Sequence, residues 1–415
     1  MPWLPILTAR TNAAYSSGFY SDADFDYTVR ILLGRCAYGA ADAGEVMATI
    51  ASVADKDHDH WFHAWNELGV RLREIADSAA AGGHAESAAQ AYLRAATYAA
   101  VAIDAASALG SDELLLKTFR AHRADWERFV DTVDRPVERV AIPYEGTTMP
   151  GYFFRAGSDA SPCPTLVMVN GSDGAISGLW ASGAAAALDR GYHVLVFDGP
   201  GQQSMLFEHG IGFRPDWDAV LTPVVDFLLE RPDVDGDRLA LYGVSQGGYW
   251  IAQALTKEHR FAAAIADPGV VDVASSWRGN IPGSLLETFE AGKKRRFDRY
   301  MFWGMKASSQ TNRTWTFRAR PYRQSSYFDT LTEVHRYTLT ATDAAHITTP
   351  LFITDPENEQ FWPGQSQRLA TITGGPSHLC KFTAAEGASF HCQPMALRLT
   401  HQRMFDWLDD QLSTR

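Results

Sequence analysis

Residues 238–250 read RLALYGVSQGGYW. An apolar run at residues 239–242 precedes the pattern G-x-S-x-G at residues 243–247, and a run typical of a helix, residues 249–255, follows it. A strand, a sharp turn and a helix in this order hold a serine hydroxyl out above the edge of a sheet. The pattern therefore predicts that Ser245 is a nucleophile, and a plain strand-to-helix turn is the alternative.

The composition is that of an ordinary globular protein. Of 415 residues, 46% are hydrophobic and 21% are charged, and the formal net charge is -12 at pH 7. An acidic chain of this kind does not suit a nucleic acid or an anionic membrane surface. Its one basic cluster, residues 293–296, fits a solvated helix face. We therefore expect a small-molecule partner, and neither a nucleic acid nor a membrane.

Cysteine spacing and apolar runs restrict the setting of the protein. The four cysteines form no C-x-x-C pair, so neither a zinc site nor a disulfide framework is predicted, and no metal site is expected. No run reaches 18 apolar residues. The first ten residues, MPWLPILTAR, have too short an apolar part for a signal peptide. We expect a protein of the reducing cytoplasm.

Residues 1–136 have the pattern of a helical domain. Residues 26–109 are rich in alanine, with apolar side chains three and four positions apart. Gly82 and Gly83 interrupt this pattern, which predicts two closely packed helices in a hairpin. One apolar stripe comprises Trp61, Trp65, Leu68, Leu72, Ile75 and Ala79, and the second comprises Ala88, Tyr92, Ala95, Ala96 and Ala99. We assign both stripes to core packing rather than to ligand contact.

From Val137 the chain alternates between short β-branched runs and helical segments. This alternation predicts an α/β fold with a mostly parallel sheet that helices cover on both faces. The first two strands are expected to pair antiparallel. Predicted strands cover residues 137–142, 152–155, 165–169, 193–197, 238–242, 261–266, 351–354 and 379–383. We accordingly assign residues 137–415 to a catalytic domain.

Residues 272–346 interrupt the alternation. The segment holds no clear strand and is rich in arginine and aromatic residues. Because an insertion at the carboxyl edge of a parallel sheet lies over the site there, we predict a helical cap. Within it, Trp277, Phe302 and Trp303 are the predicted substrate contacts. A peripheral helical excursion is the alternative.

A serine hydroxyl needs a general base to take its proton. In a sheet of this type the base lies on the loop after the last strand, and His391 occupies that position. His378, just before the same strand, is the rival.

The base in turn needs a carboxylate that holds its tautomer and stabilises the imidazolium. Glu359, four residues before Pro363, fits the position after the preceding strand best, and Asp355 at the strand tip is the alternative. Asp267 ends an earlier strand, where Pro268 and Gly269 favour a role in a turn.

Backbone N–H groups are expected to bind the oxyanion that forms during attack on a carbonyl. One donor is predicted at Gln246, directly after the nucleophile. The other is predicted in the loop at residues 170–174, where Gly171 lets the backbone come close to a ligand. Ser172 and Asp173 are the candidates for that donor, and an ordinary strand-to-helix loop is the alternative.

Several motifs together resemble the α/β-hydrolases similar to 2,6-dihydroxypseudooxynicotine hydrolase, a group that also resembles fungal polyketide-shortening hydrolases. The motifs are residues 82–84 and 91–95 in the helical region, residues 197–202, the turn at Ser245, and residues 386–388 leading into His391. The resemblance covers most of the chain. It implies an α/β-hydrolase fold, a lid and dimer contact formed by the N-terminal helices, and no cofactor. It places the acid on Glu359, where that family usually has aspartate.

The residues and the resemblance together predict a cofactor-free serine hydrolase that works through an acyl-enzyme. The resemblance implies cleavage of a carbon–carbon bond beside a ketone, or of an ester-type bond, in a small aromatic or polyketide-like substrate. A carboxylesterase, lactonase or amidase uses the same machinery. An acyltransferase or cyclase and a ligand-binding pseudoenzyme remain as alternatives. The resemblance also implies a homodimer.

Overall fold

An eight-stranded sheet organises the chain from residue 137 onward. The computed structural model describes residues 13–158 and 161–413. The N-terminal segment MPWLPILTAR, which entered the signal-peptide prediction, lies outside the described residues. The strands are β1 (Val137–Tyr144), β2 (Thr147–Phe154), β3 (Cys163–Val169), β4 (His193–Phe197), β5 (Val234–Val244), β6 (Ala263–Asp267), β7 (Leu351–Pro356) and β8 (Ser377–Phe382).

The strand order across the sheet is β1-β2-β4-β3-β5-β6-β7-β8. Strand β2 pairs antiparallel with β1 and with β4, and the other neighbouring pairs are parallel. The predicted fold class, a mostly parallel sheet with helices, is therefore confirmed. The carboxyl ends of β3, β5, β7 and β8 meet at one edge of the sheet, which is where a site is expected in such folds.

Helices fill most of residues 14–132. Asp22, Asp42 and Asp57 begin three of them by accepting hydrogen bonds from backbone N–H groups of the first turn. Gly83, at φ 78°, separates the two long helices of the predicted hairpin. The N-terminal helices are α1 (Ala14–Ser17), α2 (Ala23–Arg35), α3 (Ala43–Ile50), α4 (His58–Ala81), α5 (Ala85–Leu109) and α6 (Asp112–Thr132).

The apolar stripes of the hairpin face the interior with one exception. Trp61, Trp65 and the stripe of α5 are buried, whereas Ile75 is 56% exposed. Assigning Ile75 to the core was therefore wrong. Leu72 is buried, and the next buried position of α4 is Ala76, four residues on. Ile75 lies one position before Ala76, on the side of the helix that faces away from the core.

The remaining helices lie between the strands and at the C-terminus. Two hydrophobic clusters fill the two sides of the sheet, so both faces are covered. Within the described ranges, no helix has the length and apolar character that crossing a bilayer requires. These helices are α7 (Ala185–Asp189), α8 (Gln203–Phe207), α9 (Asp218–Leu229), α10 (Gly247–Ala254), α17 (Gln365–Ile372) and α18 (Leu397–Ser413). The helices numbered between α10 and α17 belong to the insertion, which is described below.

The N-terminal helices share a core with one face of the sheet. The ring of Trp126 in α6 meets that of Tyr152 in β2 edge to face, with centroids 5.6 Å apart. The ring of Phe129 meets Trp180 in the same way at 4.9 Å. Such aromatic pairs add to the stabilisation that burial itself provides. The helices are therefore packed as part of the same body as the sheet.

The segment predicted as an insertion, residues 272–346, is helical. An isolated β-bridge between Asp272 and Thr338 joins residues near its two ends. Its helices enclose a small hydrophobic cluster of their own, centred on Phe297 and Leu331. They are α11 (Ala274–Arg278), α12 (Gly283–Glu290), α13 (Lys294–Ala307), α14 (Ser309–Ala319), α15 (Tyr327–Val334) and α16 (Ala341–Ala344).

Gly34 in α2 leaves no room for a side chain. A Cβ atom at this position would lie 1.5 Å from the carbonyl oxygen of Pro394, in the segment that follows His391. We expect Gly34→Ala to lower the free energy of unfolding by about 1–3 kcal/mol, as overpacking does. Urea denaturation followed by circular dichroism measures this. As a control, Gly283→Ala, with no atom within 4 Å of the added Cβ, should leave the midpoint unchanged, and equal midpoints for both variants would contradict this packing.

Candidate active site

The serine turn between β5 and α10 is held by close backbone contacts. Ser245 has a left-handed backbone with φ 57°, and its N–H donates to the carbonyl of Asp267 at 2.6 Å. A Cβ atom at Gly248 would lie 2.0 Å from the carbonyl oxygen of Pro268, so only glycine fits there. The neighbouring strand and its loop thus impose the strained conformation that presents the Ser245 hydroxyl.

Ser245, His391 and Glu359 form a chain of hydrogen bonds. The Nε2 atom of His391 lies 2.8 Å from the hydroxyl oxygen of Ser245, and its Nδ1 lies 2.8 and 2.9 Å from the two carboxylate oxygens of Glu359. An ionised carboxylate only accepts hydrogen bonds. The neutral His391 ring therefore carries its proton on Nδ1, and Nε2 is free to accept the proton of the Ser245 hydroxyl.

The carboxylate of Glu359 is well held, with 6% of its side chain exposed. Burial by itself would raise its pKa, but the charge and hydrogen bond of His391 lower it. Hydrogen bonds from the backbone N–H groups of Phe361 and Trp362 lower it too, so the pKa of Glu359 lies below its usual value. Glu359 is therefore ionised around neutral pH, as a partner of an imidazolium must be.

The rival acids and base are engaged elsewhere. Asp355 accepts a hydrogen bond from the side chain of Gln367 at 2.6 Å. Asp267 is buried behind the turn, where the hydroxyl groups of Thr354 and Tyr242 donate to it at 2.6 and 3.0 Å. His378 is exposed, and its ring stacks on that of Phe352. The structure thus brings only Glu359, of the acids considered, to His391.

Three of the predicted oxyanion donors are free at the serine turn. In the described part of the chain, the backbone N–H groups of Gln246, Ser172 and Asp173 donate to no protein acceptor. Gly171 lies close to the serine, because a Cβ atom there would come within 2.9 Å of the Cβ atom of Ser245. Its own N–H is used by the side chain of Asn170 at 2.9 Å. Gly171 therefore supplies room rather than a donor, which leaves Gln246 together with Ser172 or Asp173.

A cavity of about 270 Å³ opens at Ser245. Its walls come from α2, α4 and α5 of the N-terminal helices, from the loop at residues 170–175, from α14 of the insertion and from the loop that carries His391. The lining is mixed, with aromatic rings beside several charged groups. It includes Asp24, Arg35, His58, Trp61, Asp104, Asp173, Arg313, Phe317, Arg318 and Phe361. Asp173, predicted as an oxyanion donor, lies in this wall, with a carboxylate oxygen 3.9 Å from Arg318.

The three aromatic residues predicted to contact the substrate do not line the cavity. Phe302 and Trp303 are 44% and 61% exposed on the outer side of α13. Trp277 is partly buried and packs against the rings of Trp315 and Tyr322, at centroid distances of 5.2 and 5.6 Å. Aromatic content alone does not reveal which side of a helix faces the site. Helix α14, which has few strongly apolar residues, is the part of the insertion that reaches the cavity.

Helix α2 braces the loop that carries His391, a role that sequence reasoning missed. The Tyr27 hydroxyl donates to the backbone carbonyl of His391 at 2.7 Å. The Arg30 guanidinium lies 4.4 Å from the centre of the Phe390 ring. Tyr15, in the neighbouring helix α1, adds a hydrogen bond of 3.1 Å to the Ser389 hydroxyl. These pairs are more than 350 positions apart in the chain, so no local pattern signals them.

Comparisons with known proteins agree with the fold and the predicted resemblance. The model of the prolyl oligopeptidase family matches residues 181–324. Hydrolase LUC6 of Fusarium sp is 29% identical over 409 residues, covering 94% of this chain and 97% of the relative. The 20-hydroxy-prefusarin hydrolase FUS2 of Gibberella moniliformis is 27% identical, with the same coverage.

Among solved structures, the crystal structure of 2,6-dihydroxy-pseudo-oxynicotine hydrolase is similar, with a TM-score of 0.71 and 21% identity. The match covers 91% of this chain and 95% of that one. The likeness in fold therefore extends over the N-terminal helices as well as the sheet. The predicted resemblance to these hydrolases is thereby confirmed.

Removing the Tyr27 hydroxyl tests the brace on the histidine loop. We expect Tyr27→Phe to slow the reaction of Ser245 with a fluorophosphonate probe about 2–10-fold, which corresponds to the net worth of one hydrogen bond. The rate of labelling, read by intact-protein mass spectrometry, measures this. Tyr38→Phe is the matched control, because that hydroxyl bonds His401 away from the cavity. Equal rates for the two variants would mean that the Tyr27 bond does not position His391.

Proposed function

We propose that Ser245, His391 and Glu359 are the catalytic triad of a serine hydrolase. The chain has the α/β-hydrolase fold, and its relatives are named as hydrolases, which supports the same class of activity here. The observation that carries the proposal is the unbroken hydrogen-bonded chain from the Ser245 hydroxyl through both ring nitrogens of His391 to Glu359. A nucleophile, a base and an orienting acid in this order are the parts that acyl transfer needs.

The first half of the reaction forms an acyl-enzyme. His391 takes the Ser245 proton on Nε2 as the serine oxygen attacks a carbonyl carbon of the substrate. The resulting oxyanion accepts hydrogen bonds from the N–H group of Gln246 and from that of Ser172 or Asp173, and Glu359 stabilises the imidazolium. The bond to the leaving group then breaks, and His391 returns the proton to it. In an ester the proton goes to the alcohol oxygen, and in a 1,3-dicarbonyl compound it goes to the enolate carbon or oxygen.

The second half releases the product. A water molecule gives its proton to His391 Nε2 and attacks the carbonyl carbon of the acyl-enzyme. When the bond to the serine oxygen breaks, that oxygen takes the proton back. Ser245 and His391 are then restored, and a carboxylic acid leaves. The two halves use the same hydrogen-bond geometry, so no rearrangement of the triad is required.

For the substrate we propose a small aromatic or polyketide-like molecule that is cleaved at a carbon–carbon bond beside a ketone, or at an ester-type bond. The cavity of about 270 Å³ suits a small molecule, and the rings of Trp61, Phe317 and Phe361 in its wall suit a flat one. Its charged side chains suit polar substituents on that molecule. The relative FUS2 is named for the hydrolysis of a small molecule, 20-hydroxy-prefusarin, which is consistent with this class.

A substrate screen tests the reaction type. The chain should react stoichiometrically with a fluorophosphonate at Ser245, and it should hydrolyse members of a panel of aryl esters and acylated phenolic ketones. Product analysis by mass spectrometry separates cleavage of an ester from cleavage beside a ketone. Ser245→Ala, which removes the nucleophile, is the control. Absence of labelling in the folded protein would contradict the proposal and would favour a ligand-binding role.

The identity of the acid can be tested by paired variants. We expect Glu359→Gln to lower kcat by about 10³–10⁴-fold, because an amide cannot stabilise the imidazolium and favours the wrong tautomer of His391. Asp355→Asn should stay within about threefold of the parent, as a substitution outside the machinery does. Steady-state kinetics on the best aryl ester measures both. The opposite ranking of the two variants would move the acid to Asp355.

The homodimer implied by the resemblance stays a prediction. Light scattering of the purified chain, at a concentration used for kinetics, decides between one and two copies. A mass equal to that of one chain would contradict the predicted dimer, and it would leave the proposed chemistry unaffected.

A further inference from the structure

The wall of the cavity contains an arginine that no protein group pairs. Arg35, the last residue of α2, lines the same cavity as Ser245. Its guanidinium lies against the backbone of Gly178, where a Cβ atom would come within 2.6 Å of the nearer nitrogen. Across the ranges that the structure describes, this guanidinium makes no hydrogen bond and no ion pair within 4 Å, and only longer-range charges act on it.

Other enclosed arginines of the chain are paired. Arg30, one turn and a half earlier in α2, binds the carboxylate of Asp26 at 2.7 Å. Arg123 binds the carboxylate of Asp198 at 2.6 Å. In the cavity itself, Arg318 lies 3.9 Å from Asp173. A guanidinium with five donors and no protein acceptor is therefore unusual in this molecule, and its donors are available to a ligand in the cavity.

Asp104 of α5 is the acidic counterpart of Arg35 in the cavity wall. The charges of the two residues act on each other, but they form no ion pair within 4 Å. Burial lowers the pKa of Arg35 to about 10, and Asp104 offsets this only in part. Burial, together with the nearby charge of Asp173, raises the pKa of Asp104. The two groups thus face the cavity as one donor and one acceptor that do not satisfy each other.

We propose that Arg35 and Asp104 form a recognition subsite for a neutral substituent of the substrate that presents a hydrogen-bond acceptor and a donor together. A primary amide, a lactam or a hydroxyl group beside a carbonyl has this chemistry. The acceptor oxygen would receive hydrogen bonds from Arg35, and the N–H or O–H would donate to Asp104. This inference rests on the proposed function, since it assigns the substrate class of the Ser245 cavity.

The charges around the subsite favour a neutral group over a carboxylate. Asp24 and Asp173 line the same cavity as Asp104 and add negative potential at it, whereas Arg35 and Arg318 add positive potential. An anionic substituent at Arg35 would be repelled by the three carboxylates as well as attracted by the two guanidinium groups. A neutral group that offers a donor is instead attracted to Asp104, and its acceptor still meets the guanidinium. Neutral polar substituents should therefore bind here in preference to acids.

Esters that differ only at the end of the acyl chain test the subsite. We would compare 4-nitrophenyl esters whose acyl chains end in a primary amide, in an isopropyl group of similar shape, or in a carboxylate, each at several chain lengths. At the chain length that reaches Arg35, the parent protein should prefer the amide over the isopropyl ester in kcat/KM. Arg35→Met should reduce the ratio of amide to isopropyl kcat/KM about 10-fold or more, the loss expected for hydrogen bonds to a charged group.

Further variants make the result specific. Arg35→Lys keeps the charge and should retain part of the preference for the amide. It takes the place of Arg35→Met in the comparison if Arg35→Met fails to fold. Asp104→Leu, which removes the acceptor, should also reduce the preference for the amide. The matched control is Arg336→Met, because Arg336 lies outside the cavity and pairs with Glu333 on α15. Its ratio of amide to isopropyl activity should equal that of the parent.

The outcomes separate this inference from the proposed function. Fluorophosphonate labelling of Ser245 in the parent protein reports the nucleophile without involving Arg35, so absence of labelling contradicts the triad. Labelling with an amide preference that Arg35→Met leaves intact overturns the subsite alone. So does a parent protein that shows no preference for the amide at any chain length. A preference for the carboxylate ester that depends on Arg35 overturns the assignment of a neutral group.

Discussion

The close approach of three backbone segments at Ser245 is the constraint on which the site depends. Gly248 lies against the carbonyl of Pro268, and Gly171 lies against the serine itself, at separations that admit no side chain. These contacts hold Ser245 in a left-handed conformation that its own preferences disfavour. The hydroxyl and the free N–H groups beside it are therefore fixed relative to the strands. The ring of His391, on the loop after β8, therefore meets the serine oxygen in a defined position.

Helix α2 extends this constraint into the N-terminal part of the chain. Near its middle, Tyr27 holds the carbonyl of His391, and at its end Arg35 reaches the cavity wall. Eight residues of α-helix span about 12 Å, which is the scale of a small substrate. One helix thus connects His391, the proposed general base, to the wall where we place recognition. The exclusion of any side chain at Gly34 keeps the helix seated on the segment after His391.

The sequence allowed the sheet, the serine turn and the side chains that meet at the strand ends to be predicted, because each depends on local pattern and on chain order. Ser245, Glu359 and His391 follow β5, β7 and β8, so their meeting at one edge is a property of the topology. The contacts made by the helical layers could not be predicted in this way. Phe302 and Trp303 look like ligand contacts by composition, yet they face outward. Their orientation is set by tertiary packing, for which one sequence carries no direct signal.

The proposed chemistry and the expected substrate specificity depend on different parts of the chain. The proposed triad comes from loops after strands, whereas Asp24, Arg35 and Asp104 come from N-terminal helices and Arg318 comes from the insertion. Substitutions in those helices can therefore change what the cavity binds without moving the serine, the base or the acid. Asp104 is exposed and Arg35 is part-exposed where they line the cavity, and within the described residues neither makes an ion pair. Their charges are therefore available to the polar groups of a ligand, which is the recognition that we propose.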